Sequence, residues 1–107
     1  MTPERQLEIY KEMDAKVIET TISKAHDYAS ADVLSNFKNV SGAAKNLGID
    51  ITNPTGYSLF MVVLKIARLT NLLNAEKKPN NESIEDSFLD GINYFKLSYL
   101  NHLESIK

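Results

Sequence analysis

The side chains able to do chemistry fall into two groups. Lys65 and Arg68 are three residues apart, inside a segment from Leu59 to Leu73 that is otherwise apolar nearly all round. On a helix that spacing puts both on one face. A buried cation without a partner is expensive, so this face must meet carboxylates or an anionic ligand. Asp86 and Asp90, four apart and close to Glu82 and Glu85, supply the nearest carboxylates on a later segment. Two arrangements fit: an ion-pair network tying the segments together, or a polar pocket that takes a phosphate or a metal. The second group is Lys24, His26, Asp27 and Tyr28, followed by Asn36 and Phe37. It marks a bend between helices, where polar side chains can enter a cavity. Asp27 and Ser30 read equally well as turn and cap residues, and Phe37 as core.

Many other chemistries are excluded. There is no cysteine, hence no disulfide, thiolate metal site or thiol nucleophile. His26 and His102 have no metal-ligand spacing, and no phosphate-binding glycine loop, nucleophile elbow or dinucleotide fingerprint is present. No catalytic residue and no metal ligand is assigned. Twelve basic and 14 acidic residues, mixed along the chain, leave a net charge of −2. That balance gives no electrostatic footprint for duplex nucleic acid or an anionic membrane. The longest apolar run, Leu59 to Leu64, is far short of the ~20 residues that cross a bilayer. The opening residues Met1 to Arg5 carry no apolar leader, so the expected location is cytoplasmic.

The elements that must position these groups are helical, and 43% hydrophobic residues suffice for one core in a single domain over 1–107. Thr2 and Pro3 start the first helix, whose stripe Leu7, Tyr10, Met13, Val17, Ile18, Ile22 and Ala25 runs to about Tyr28. Ser30 reads as the cap of a second helix, with Leu34, Phe37, Val40, Ala44 and Leu47 inward and Gly48 ending it. A loop over 49–53 tucks in Ile49 and Ile51, and Asn53-Pro54 starts a third helix reaching about Ala75. That helix is expected to be the most buried, with Val63, Ile66 and Leu69 nearly inaccessible. After a polar loop at Glu76–Asn81, Ser83 and Asp86 form a capping box for a last helix. Its stripe is Ile84, Phe88, Ile92, Phe95, Tyr99 and Leu103. The fold class is all-α: about four helices in an antiparallel, bundle-like arrangement. Surplus apolar residues on the terminal helices, Tyr10, Met13, Tyr94, Leu97 and Leu100, predict a homo-oligomer.

Taken in order, Lys24-Ala25-His26-Asp27-Tyr28, Asn36-Phe37, Lys65-Ile66-Ala67-Arg68-Leu69, and Ser83-Ile84-Glu85-Asp86 with Asp90 and Asn93-Tyr94 resemble a known pattern. It is that of small phage and bacterial helical domains described as nucleotide-modification-associated or of unknown function. The resemblance covers roughly Ile22 to Leu97. It departs at Ala29, where the family usually has glycine, and in the long Glu76–Asn81 loop. It implies a phage context, the host cytoplasm, and a partner that is a nucleotide or another phosphorylated small molecule. On that reading Lys65 and Arg68 meet phosphate, Tyr28 stacks on a base, and Asp27 and Asn36 read its edge, with Lys24, Asp86 and Asp90 completing the ligand-binding set. Such a protein serves nucleotide metabolism or modification, or sequesters a signalling nucleotide, and is not necessarily an enzyme. One alternative is a protein-binding module that inhibits a host defence protein. Another is a Mg²⁺-dependent pyrophosphohydrolase similar to the MazG type, the one reading that needs a cofactor. Glu8 and Glu12, with Glu85 or Asp86 and Asp90, do not reproduce the carboxylate spacing of that metal site.

Overall fold

The fold is described from a computed structural model over residues 1–27, 32, 34–74 and 84–107, for residues 25–27 in backbone only. Four helices occupy the described residues, and no strand: α1 Pro3–Asp27, α2 Ser35–Leu47, α3 Pro54–Asn74 and α4 Ile84–Ser105. The caps read from Thr2, Gly48 and Asn53 are in place. Thr2 Oγ1 accepts the Arg5 amide at 3.1 Å, and Asn53 Oδ1 accepts the Gly56 amide at 2.8 Å. Gly48 takes φ of 71°, and the amides of Gly48 and Ile49 close back onto the carbonyls of Lys45 and Ala44. The expected caps Ser30 and Ser83 lie outside the described residues. Instead, α2 starts at Ser35 behind Leu34, whose amide donates to Asp32 Oδ1 at 2.9 Å.

The centre of the fold is the antiparallel pair α3–α4. Asn101 near the end of α4 donates to the Pro54 carbonyl at 3.3 Å and to Ser58 Oγ at 3.2 Å. Farther along, Lys65 meets Asp90. The facing positions are narrow ones. On α3 they recur every seven residues at Ser58, Lys65 and Leu72, all buried. On α4, Ser87 and Ser98 are buried, and Gly91, Tyr94 and Asn101 are half-buried at alternating spacings of four and three. Sevenfold spacing is the signature of a helix-pair seam, and small residues in it let the backbones approach. Ser58 and Ser98 meet their hydroxyl needs by donating to carbonyls of their own helix.

Three expectations are corrected here. The apolar stripe of α4 lies to one side of the contact with α3 and is largely open: Phe88 is 51% exposed, Ile92 52% and Phe95 61%. On α3, Ile66 is exposed while Val63 and Leu69 are half-buried, so burial centres on Leu72 and Lys65 rather than on those three. Ile51 is exposed, and Ile49 alone of the loop pair is partly covered. The reason is common to the two helices. A stripe states which side of a helix avoids water, not which chain covers it. By length and composition α3 would also suffice to cross a bilayer, a property it shares with core helices of soluble proteins.

Against α3 lies α2, with Val40 and Ala44 buried, while Leu34, Phe37 and Leu47, expected on its inward face, are exposed. By contrast, α1 stands apart, with exposed side chains along its described length except half-buried Ile9 and Ser23. The turn into α3 is tight. Asp50 Oδ1 accepts both the amide and the hydroxyl of Thr52, at 2.9 and 2.6 Å. The hydroxyl first, then the amide, hold the Asp50 carboxyl below its ordinary 3.8. This anchor is therefore complete above the ordinary carboxylate range and is lost as pH falls through the lowered value. A methyl group on Gly56 would stand 1.7 Å from the Asp50 carbonyl oxygen, so the loop can lie on the helix only over a glycine.

Two glycines therefore predict opposite signs in a thermal melt. Gly56→Ala destabilises by on the order of 2 kcal/mol or more, since backbone must move. Gly42→Ala, inside α2 with nothing within 4 Å of the added methyl, stabilises by about 0.5–1 kcal/mol.

Candidate functional site

The candidate site is built on the α3–α4 seam. Lys65 is 7% exposed, and its Nζ reaches Asp90 Oδ2 at 3.0 Å. The pair is lopsided: the ammonium end is enclosed, while the Asp90 side chain remains 51% exposed. Arg68 is half-buried one turn along α3, and Asp86 is exposed one turn back along α4. The antiparallel register set by Lys65 and Asp90 puts both toward the same end of the pair. Both are already engaged by neighbours. Of the expected ligand set, then, Lys65 and Asp90 are in contact, and Arg68 and Asp86 share their end of the hairpin.

The remaining expected residues are distributed differently. Asn36 sits in the first turn of α2, half-buried, and its Oδ1 is enclosed without a hydrogen-bond partner. Lys24 is exposed on α1, which does not pack against α3 or α4 beyond a marginal contact. Asp27 closes α1, and its side chain, like the whole of Tyr28, lies outside the described residues. Glu8 and Glu12 pair with Arg5 on exposed α1 at 3.0 and 3.8 Å. Among the described residues no three acidic or histidine side chains gather as a metal site.

Ser87 was not singled out by its sequence context, yet it is fully buried and its Oγ has no hydrogen-bond partner. A buried hydroxyl left unused is uncommon and asks for an explanation. It lines, together with the Lys65 stem, a groove of about 460 Å³ otherwise walled by apolar side chains including Val62, Ile66, Phe88 and Ile92. Arg68, Asp86 and Asp90 are not part of that wall. With 100° per residue, they fall on the other flank of the seam. The hairpin thus has one polar flank and one apolar face, and Lys65 crosses between them. The signal that would have found Ser87 is the spacing Ser87, Gly91, Ser98, a stripe of small residues beside the large apolar one.

Comparison with family models, with curated proteins and with solved structures finds no match to this chain.

Asymmetry of the Lys65–Asp90 pair makes a measurable difference. Removing the exposed partner with Asp90→Leu takes one partner from a buried cation and costs roughly 1–3 kcal/mol, below the full value for a wholly buried pair. Lys65→Met removes the buried charge itself and is expected to be close to neutral. Denaturant melts of the two variants check the ordering, and equal losses would contradict it.

Proposed function

We propose that the protein binds a nucleotide or another phosphorylated small molecule on the polar flank of the α3–α4 pair, in the cytoplasm and as a homo-oligomer. Lys65 and Arg68 supply the positive charge, Asp86 and Asp90 bound the site, and Asn36 of α2 offers an unused acceptor to a ligand amine. Lys24, Asp27 and Tyr28 join them if the end of α1 comes over this flank, as the motif order implies. The observation that carries the reading is the unequal enclosure of the ion pair. A cation held in a buried position by a carboxylate that is half open to water can exchange that carboxylate for a phosphate oxygen. Phosphate is a stronger and multidentate acceptor, and reduced dielectric around Lys65 strengthens the contact. This is binding chemistry. Neither a nucleophile nor a general base is assigned, and hydrolysis of the MazG type would need carboxylates converging on Mg²⁺.

The competing reading, a module that inhibits a host protein, would use the exposed apolar surfaces and leave the polar flank a structural tie. A thermal-shift screen against mono-, di- and cyclic nucleotides, with and without Mg²⁺, separates the readings. The expected result is a rise in melting temperature with a nucleotide in the absence of metal. Turnover that requires Mg²⁺ would favour hydrolysis, and no shift with any nucleotide would favour the protein-binding module. On one Arg68→Met preparation the same nucleotide should lose its affinity while the fold keeps its melting temperature. A lowered melting temperature with unchanged affinity would remove the support for this site.

A further inference from the structure

The α3–α4 pair carries a face that none of the other described residues covers. Ile66 and Leu73 on α3, and Phe88, Ile92, Phe95 and Tyr99 on α4, are each 51–62% exposed. Their spacing repeats the seven-residue pattern: Val62, Ile66, Leu69 and Leu73 on one helix, and Phe88, Ile92, Phe95 and Tyr99 on the other. Two antiparallel helices with a continuous apolar face of that phase are half of a four-helix bundle. The protein as a whole is under-buried to match. Its accessible surface is 8258 Å², against about 6,000 Å² for a compact monomer of this mass. Its radius of gyration is 17.6 Å, where about 13 Å is usual for this length. The exposed α1 and the uncovered α3–α4 face both contribute to that excess.

We infer that this face is covered by the same face of a second copy, two hairpins closing one four-helix core about a two-fold axis. The inference is independent of the ligand reading, since the polar flank lies on the other side of the seam. The nearest rival occupant is α1, which is also exposed. Its stripe is a poorer fit, because Asp14 follows Tyr10 by four residues and precedes Val17 by three and Ile18 by four, in the middle of the apolar face. Docking α1 into the groove would bury that carboxylate. The α3–α4 face has no charge along its centre, with the Lys65 head turned to Asp90 and Lys96 at its edge. A self-complementary apolar patch without a central charge is what an isologous interface needs.

Sedimentation equilibrium of the full chain is expected to give an even multiple of 12.0 kDa. Phe95→Asp should reduce the mass to that of one chain, whether the released subunit stays helical or unfolds. Val17→Asp is the control on α1, at 62% exposure against 61% for Phe95, and should leave mass and helicity unchanged. A monomeric wild type, including one that sediments only with lipid vesicles, would overturn the inference. So would a Phe95→Asp protein that keeps its mass, or a Val17→Asp protein that dissociates as fully as Phe95→Asp.

Discussion

A single ammonium enclosed in the middle of an apolar helix governs much of this structure. Lys65 occupies a seam position between Ser58 and Leu72, seven residues from each, where a coiled helix pair would ordinarily place a leucine. A long stem in that position needs room, and its head needs a carboxylate. The facing helix meets both demands. Gly91 lies opposite, so near that a methyl group there would touch the Lys65 Cβ at 3.7 Å, and Asp90 beside it takes the charge. Serines at 87 and 98 keep the same side of α4 narrow. Once the narrow side of α4 is turned to α3, its broad aromatic and aliphatic side must point elsewhere, and in one chain it points into solvent.

Division of the hairpin into two surfaces follows from that arrangement. On one flank stand Asp86, Asp90 and Arg68, where the Lys65 head meets Asp90. On the other lies the exposed apolar face of Ile66, Leu73, Phe88, Ile92, Phe95 and Tyr99. Lys65 belongs to both, its stem in the apolar wall and its head on the polar flank. Substitutions on the polar flank and on the apolar face can thus be made separately.

Much of the fold was legible in the sequence because helix punctuation is local. Thr2, Asn53-Pro54 and Gly48 act through their own backbone and neighbours a few residues away, so their roles survive whatever the tertiary context. The pairing of Lys65 with Asp90 was legible for a similar reason, since a cation in an apolar segment leaves few alternatives. The facing of α4 was not. Ile84 to Leu103 announce an amphipathic helix with great clarity, but hydrophobic periodicity has no term for whose side chains lie opposite. Ser87, Gly91 and Ser98, which do line the seam, are residues that a burial argument passes over. In the second group, the chemistry of Lys24, Asp27 and Tyr28 depends on how α1 approaches the rest, which is tertiary information that no local motif encodes.

If the chain is incomplete without its copy, its stability cannot be a property of one molecule. For an obligate pair the folded state gains from mass action, so the melting temperature depends on protein concentration. Helicity should therefore be followed by circular dichroism during heating, across a wide dilution series of the wild-type chain. The midpoint should climb steadily with concentration, and the most dilute samples should lose helical signal even in the cold. A midpoint that stays fixed across the series, with full helicity at the lowest concentration, would mean that one chain folds by itself, and would contradict this account.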